Sequence, residues 1–185
     1  MYKVIFSVFV STALMTASPL IFTINNAVGA GSITGTIGTN GGFGVLGTSD
    51  IIDWNLTVDD GTNPFTLLGP LSGNNSEILV VGTDLSETAT QLLFNFGGSG
   101  YVLIQNPTIG SAVNFFCVEA QTGCTGSPAG ESLRRTDGLN QFTAFSGIQA
   151  INSGLISPVP EPSSFVLLTF GAAALLTLRR RAGCA

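Results

Sequence analysis

A strict alternation of apolar and polar residues marks the middle of this chain. Over Ile52–Asp59 every second side chain is apolar, which gives a β-strand one buried face and one solvated face. Asp60-Gly61 directly afterwards is a typical tight turn. No long segment with a helical period of 3.6 residues occurs between residues 31 and 157. The pattern therefore predicts a mainly β domain.

Further strand candidates follow at short spacing, separated by clusters rich in Gly, Asn and Pro. They are Ser32–Thr39, Phe65–Leu68, Glu77–Val81, Thr90–Phe96, Tyr101–Gln105, Val113–Glu119 and Gln141–Ile148. Short strands at this spacing predict an antiparallel, jelly-roll-like β-sandwich ectodomain over residues 31–157. The candidate core aromatics are Trp54, Phe65, Phe94, Phe96 and Phe115.

Residues 1–30 are predicted to form a secretory signal peptide. Lys3 precedes a mostly apolar, uncharged run from Val4 to Ile24. Val28 and Ala30 occupy the two positions that signal peptidase requires to be small, so cleavage after Ala30 is predicted, with a site after Ala27 as an alternative. An uncleaved membrane anchor is the other interpretation. Export through the Sec translocon and processing by signal peptidase would follow.

The C-terminal 27 residues have three parts. Val159-Pro160-Glu161-Pro162 is followed by 16 uncharged residues, 163–178, and then by Arg179-Arg180-Arg181 within a tail of residues 179–185. A helix of that length spans about 24 Å, which is short for a hydrocarbon core of about 30 Å but is helped by snorkelling arginines. The arginines predict a stop-transfer signal with this end in the cytoplasm. A buried core helix is the alternative.

This arrangement resembles the PEP-CTERM sorting signal of Gram-negative bacteria, here over residues 158–185. The resemblance implies recognition by an exosortase and cleavage near Pro160-Glu161-Pro162. It also implies a precursor held in the inner membrane and a mature protein at the cell surface or outside the cell. Bacteria with this system usually make exopolysaccharide, and the sorted proteins are often associated with a biofilm or floc matrix.

Cys117 and Cys124 are the only cysteines of the predicted exported part. Thiols of exported proteins are usually oxidised, so a disulfide is predicted. A redox or metal-binding pair is the alternative. The chain has no His, and no further Cys completes a zinc site, so no metal ion or other cofactor is expected.

The charge distribution excludes several functions. All 11 acidic residues lie between positions 31 and 162, where Arg134 and Arg135 are the only basic residues, which gives a net charge of −9. A surface of this sign argues against nucleic-acid binding. Without His there is no His general base. Residues 42–47 match G-x-G-x-x-G, but a strand is predicted after them instead of a helix, so a loop is favoured over a nucleotide site.

The carboxylates are the remaining candidates for catalytic or metal-binding residues. They cluster at two places in the sequence, which are Asp50, Asp53, Asp59 and Asp60, and Asp84 with Glu87. Asp53 and Asp59 fall on the polar face of a strand, where a solvated Asp is the default, so the protein is not expected to be an enzyme. A Ca²⁺ site at Asp59 and Asp60 is conceivable, although the loop lacks the EF-hand order.

Two interpretations of function remain. The first is an exported, non-catalytic cell-surface or matrix protein associated with exopolysaccharide. The alternative is a carbohydrate-binding β-sandwich module, with or without a requirement for Ca²⁺, and with Trp54 and Tyr101 as the candidate aromatic platforms. Because Trp54 lies on the apolar face of its strand, burial is the stronger expectation for it.

Overall fold

The computed structural model describes residues 18–121, 123–124, 128–138 and 140–156 of the 185-residue chain. These residues form β-strands and one short 3₁₀ helix, Thr48–Asp50. The strands are β1 (Leu20–Val28), β2 (Gly31–Thr39), β3 (Gly44–Val45), β4 (Ile51–Asp59), β5 (Pro64–Leu68), β6 (Glu77–Val81), β7 (Leu85–Glu87), β8 (Leu92–Asn95), β9 (Tyr101–Gln105), β10 (Phe115–Glu119), β11 (Gly130–Arg134), β12 (Gln141–Ala144), β13 (Ile148–Ala150) and β14 (Gly154–Ile156).

The strands pair into three sheets. Sheet I has the order β14-β1-β2-β4-β5, sheet II the order β12-β11-β10-β9-β6, and sheet III the order β13-β8-β7-β3. Every pairing is antiparallel. The prediction of a mainly β, antiparallel domain is therefore confirmed.

One buried apolar cluster joins the three sheets. It includes Phe22 and Trp54 from sheet I, Ile104 and Leu133 from sheet II, and Phe94 from sheet III. Removing these side chains from water is the main force that holds the sheets together.

Four of the five predicted core aromatics belong to this cluster or pack against it. Trp54, Phe94 and Phe96 are members, and Phe65 is partly buried against them. Phe115 is buried but is not a member, because its neighbour Phe116 occupies the inward position and adjacent side chains of a strand point to opposite faces.

The N-terminal boundary of the domain has to be corrected. Residues 20–28, assigned above to the signal peptide, form β1, which pairs with β2 over its whole length and with β14 on its other side. Phe22, Ile24 and Val28 are buried in the core. Gly29 and Ala30 form the tight turn between β1 and β2, and Gly29 has a positive φ of 60°. The fold therefore begins before residue 31, and cleavage after Ala30 would remove an interior strand of sheet I.

The predicted strand Gln141–Ile148 also needs correction. Residues 141–144 form β12 at the edge of sheet II, whereas Ile148 begins β13 at the edge of sheet III. Gly147, with a φ of 66°, lies between the two strands. A bend with positive φ is readily made only by Gly, and it lets the chain leave one sheet and join another.

The predicted terminal signals lie largely outside the described residues. This applies to residues 1–17 of the predicted signal peptide, to the Val159–Pro162 motif, to the predicted membrane helix 163–178 and to the Arg179–Arg181 cluster. A search for membrane-spanning helices over the described part of the chain found none of sufficient length and hydropathy.

Candidate functional site

The outer face of sheet II carries a cavity. Ile104 and Phe116 of this sheet point into the core cluster. The alternate residues of the same strands therefore face outward. The register places Phe115 of β10 opposite Gln105 of β9 on one side and opposite Arg134 of β11 on the other. These three residues form a row across the outer face.

A disulfide folds one loop over this face. Cys117 in β10 is bonded to Cys124, as predicted, with the Cα atoms 6.3 Å apart. The backbone amides of Gly123 and Cys124 both donate to Oε2 of the buried Glu119, each over 2.8 Å. Gly123 lies so close to the Tyr101 ring that a Cβ atom there would clash with it. Gly123 and Cys124 are thus held beside β10 by a covalent bond and by hydrogen bonds.

Residues 106–114 form a second loop on the same face, held by side chains of β6 and β9. The amide of Gly110 donates to Gln105 Oε1 over 2.7 Å, and Gln105 Nε2 donates to the carbonyl of Val113 over 3.3 Å. The amide of Ile109 donates to Glu77 Oε2 over 2.9 Å. Gln105, which is nearly fully buried, therefore uses its acceptor and its donor to shape this loop.

The loop is also tied to the segment that follows β11. Asn114 Oδ1 accepts hydrogen bonds from the amide and the hydroxyl of Thr136, each over 3.0 Å. This connection holds the second loop beside the strand that ends with Arg134. The walls on both sides of the outer face are therefore anchored to strands of sheet II.

Between the two loops lies a cavity of about 390 Å³. The sheet contributes Leu103, Gln105, Phe115 and Arg134, and the loops contribute Ile109, Gly110, Ala112, Gly123, Cys124 and Asn140. Its lining thus combines apolar side chains with two exposed polar ones, those of Arg134 and Asn140. An apolar cleft with a few placed polar groups is the usual form of a small-ligand site. We call it the outer-face cavity.

Arg134 gives the outer-face cavity a positive charge. The neighbouring Arg135 lies 3.4 Å from Asp137 in an ion pair, whereas Arg134 makes no ion pair with any described residue. Glu77 and Glu119 brace the walls but do not line the cavity. A guanidinium left without a carboxylate in so acidic a segment is suited to bind an anion.

A second cavity, of about 270 Å³, lies beside β1 and β11 and contains a buried carboxyl group. Asn26 Nδ2 donates to Glu131 Oε1 over 2.9 Å, while Glu131 Oε2 has no hydrogen-bond partner among the described residues. Glu131 is 1% exposed. Burial raises its pKa to about 7, against the smaller opposing effect of the Asn26 hydrogen bond. The sequence pattern gave no sign of this group.

Of the two predicted aromatic platforms, Trp54 is not available to a ligand and Tyr101 is partly covered. Trp54 is 3% exposed, and its indole N–H donates to Ser76 Oγ over 2.8 Å. Tyr101 is half-buried and packed by Gly123. The expectation that Trp54 is buried is confirmed, so a stacking mode that uses Trp54 is wrong.

The predicted Ca²⁺ ligands act within their own loop. Asp59 Oδ1 accepts the Gly61 amide, and Asp60 Oδ1 accepts the amides of Thr62 and Asn63. The Thr62 hydroxyl also donates to Asp60 and lowers the pKa of that carboxyl, with burial opposing. Asp60 Oδ2 is buried without a partner among the described residues, so a Ca²⁺ ion there stays a prediction.

The one group of three potential metal ligands among the described residues is Cys117, Glu119 and Cys124. Both sulfurs of this group are bonded to each other. A disulfide sulfur is not a thiolate, which is the form of Cys that coordinates metal ions. In this oxidised state the group offers one carboxylate, which already accepts two amides.

Of the other candidate carboxylates, Asp53 and Asp84 also have structural roles, whereas Glu87 is buried with neither carboxylate oxygen hydrogen-bonded to a described residue. Asp53 Oδ2 accepts the Ser72 hydroxyl over 2.6 Å, and Asp84 Oδ2 accepts the Gly100 amide over 2.6 Å. Residues 42–47 are not simply a loop, because Gly44–Val45 form β3 and pair with β7. A three-residue 3₁₀ turn follows them, which is not the helix that a dinucleotide site requires.

The predicted C-terminal signal follows the domain directly in sequence. The last described strand, β14, ends at Ile156 on the edge of sheet I, three positions before Val159. A family model of the PEP-CTERM protein-sorting motif matches residues 158–181. Searches of curated proteins and of solved structures gave no match. The chain therefore carries a PEP-CTERM sorting motif, which indicates a protein sorted by an exosortase to the cell surface.

Proposed function

We propose that this protein is a non-catalytic component of the bacterial surface that associates with exopolysaccharide or biofilm matrix after processing at both ends. The observation that carries the proposal is the sorting motif at residues 158–181, directly after a β domain that ends at Ile156. The precursor would be held in the inner membrane by residues 163–178 until an exosortase cleaves near Pro160-Glu161-Pro162. The β domain, a sandwich in this proposal, would then be released or attached at the surface.

The position of β1 changes the proposed N-terminal processing. Signal peptidase has to cleave before Leu20, because β1 supplies buried side chains to the core and pairs with two strands. The export signal would then consist of Lys3, the apolar run that begins at Val4, and the small residues Thr16-Ala17-Ser18. That order of a basic start, an apolar stretch and small residues is the order of a secretory signal.

A binding role is favoured over catalysis because several carboxylates of the domain hold loops in place. Asp53, Asp59 and Asp84 each accept hydrogen bonds from loop groups. Glycoside hydrolysis needs two carboxyl groups that face a shared substrate site. Neither described cavity is lined by two carboxylates.

Intact mass of the protein purified from its native host, with and without the exosortase, tests this proposal. We expect a chain that starts before Leu20 and ends near Pro160–Pro162 in the wild-type strain. In the strain without exosortase we expect residues 179–181 to be retained. A substitution of Glu161→Ala in the wild-type strain should reproduce the unprocessed mass, while Glu77→Ala is a control that leaves processing unchanged.

Two results would overturn parts of this proposal separately. Retention of Arg179–Arg181 in both strains would show that the motif is not processed. An N-terminus at Gly31 would show that the mature protein lacks β1. That result would contradict the proposed cleavage before Leu20 and would leave the sorting proposal unaffected.

Carbohydrate binding is the second candidate function. The outer-face cavity favours it, since the cavity is preformed and combines apolar and hydrogen-bonding side chains. Carbohydrate binding is compatible with the first proposal, because a matrix protein needs some means of holding the polysaccharide.

A further inference from the structure

The outer-face cavity has walls that are fixed before any ligand arrives. One wall is closed by the Cys117–Cys124 disulfide and by the amide hydrogen bonds to Glu119. The other is held by Gln105 and Glu77. A ligand that enters a preorganised site loses less free energy to ordering of loops. The lining residues of sheet II lie on the face opposite Ile104 and Phe116, which belong to the core cluster.

The lining shows which chemistry the cavity favours. Leu103 and Ile109 offer apolar surface above the buried Phe115 ring, while Arg134 and Asn140 carry side-chain donors that form no hydrogen bond with another described residue. A sugar ring has a face of C–H groups and an edge of hydroxyl groups, which match these two kinds of surface. A volume of about 390 Å³ lies in the range of small-ligand sites.

The positive charge of Arg134 favours an acidic sugar as the ligand of the outer-face cavity. It is one of two cations between residues 31 and 162, and the other, Arg135, is paired with Asp137. A guanidinium binds a carboxylate through two parallel hydrogen bonds, which gives both affinity and geometric selection. Glu77 and Glu119 accept amides of the cavity walls, so their charges lie close behind the lining and oppose part of this attraction. The repulsion from carboxylates more than about 8 Å away is screened at physiological ionic strength.

We infer that the outer-face cavity binds a hexuronic acid residue of an extracellular polysaccharide, with the sugar carboxylate on Arg134 and the ring against the partly exposed Leu103 and Ile109. This inference rests on the proposed surface location, because that location is where the protein would meet such a polymer. It names the ligand class that the sorting motif leaves open. Binding measured with purified protein does not depend on processing, so the two proposals can fail independently.

The test is calorimetric titration of the protein purified from its host, in whichever processed form it occurs there. The probes are a short oligomer of hexuronic acid, the same oligomer with its carboxyl groups reduced to alcohols, and acetate. We expect the acidic oligomer to bind at least about tenfold more tightly than the reduced one, in keeping with the loss of a charge-assisted hydrogen-bonded pair. Added salt should weaken the acidic oligomer more than the reduced one.

Arg134→Gln and Arg135→Gln form a matched pair of variants. Both remove one positive charge from adjacent positions, but only Arg134 lines the cavity. Arg134→Gln should lose about tenfold in affinity for the acidic oligomer and little for the reduced one, whereas Arg135→Gln should bind like the wild type. Thermal melting of both variants verifies that they are folded.

Four results would overturn the inference. These are the absence of binding to either oligomer, equal affinity for the acidic and reduced oligomers, equal losses in the two arginine variants, and competition by acetate at the oligomer's own concentration. The last result would define a plain carboxylate site with no part for the sugar ring.

Discussion

The buried carboxyl group of Glu131 makes the stability of this domain dependent on pH in a defined direction. The side chain is 1% exposed, accepts one hydrogen bond from Asn26, and leaves Oε2 without a partner among the described residues. No other titratable residue lines the cavity that contains it. Replacing Glu131 with Gln keeps the size and an acceptor for Asn26 while removing the negative charge. We therefore expect Glu131→Gln to abolish this part of the pH dependence.

The size of the effect follows from the pKa. Burial raises the pKa of Glu131 from 4.5 to about 7, so the folded protein holds a proton that the unfolded chain has already lost. The stabilising contribution is then complete below about pH 4.5 and is lost as the pH rises through about 7. Since each tenfold change in proton affinity corresponds to about 1.4 kcal/mol, the folded state loses about 3 kcal/mol between pH 4 and pH 8.

Urea unfolding followed by fluorescence of Trp54 measures this difference, because the buried indole reports loss of the core. We expect the free energy of unfolding of Glu131→Gln to rise by about 3 kcal/mol relative to that of the wild type between pH 4 and pH 8, because only the wild type loses stability over this range. Asp137→Asn is the control, since the Asp137 side chain is 69% exposed. A wild-type minus Glu131→Gln difference that stays flat over this range would refute the reasoning.

Three further outcomes are expected. A chain that starts at Gly31 should fail to fold cooperatively, as circular dichroism and urea unfolding would show, whereas one that starts at Ser18 should fold, because only the second contains β1. Loss of the Cys117–Cys124 disulfide in a double Ser variant should lower the free energy of unfolding by about 2 kcal/mol, since the bridge closes a short loop. Chelator should leave the melting temperature unchanged, and a rise of several degrees with added Ca²⁺ would instead support ion binding at Asp60.

Several strands could be predicted from the sequence because their alternation and their turns act locally. Glu77–Val81 and Tyr101–Gln105 form strands with the predicted bounds. Each is followed by residues that favour a turn, Gly82 in the first case and Asn106-Pro107 in the second. Where the local pattern specifies both the strand and its end, no knowledge of the partner strand is needed.

The first strand could not be predicted in this way. An apolar run such as Leu20–Ile24 fits the apolar stretch of a signal peptide and also a buried strand, and period alone does not separate the two. The pairing of β1 with a strand on each side identifies this segment as a strand of the domain. One of these, β14, lies more than 120 residues away in the chain, so its pairing leaves no local signal.

The outer-face cavity was missed for a related reason. Its lining comes from β9, β10, β11, two loops and a residue just before β12, and no single segment of the sequence has the appearance of a site. The cysteine pair is the feature of the sequence that points to this region, since two cysteines in an exported protein predict a loop fixed by a disulfide. That such a loop covers the sheet face next to Phe115 and Arg134 depends on strand register, which only the folded structure supplies.

In the structure, most of the acidic side chains have a role in holding loops that their number in the sequence does not show. At least seven of the 11 acidic side chains accept hydrogen bonds from main-chain amides of loops. They are Asp50, Asp53, Asp59, Asp60, Glu77, Asp84 and Glu119. Carboxylates are strong acceptors for such amides, so a domain with many loops and few helices can use them to fix its turns.

Because these carboxylates hold loops in place, the charge of Arg134 says more about a ligand than the net negative charge of the domain does. The negative charge of the domain is explained to a large extent by bracing of loops, and it does not by itself indicate a cationic ligand. Arg134 has no corresponding structural partner among the described residues, although Arg135 beside it does. Arg134 forms no hydrogen bond or ion pair with a described residue, and it lines a cavity whose walls are held by Glu77 and Glu119. These two observations favour an anionic ligand from outside the chain.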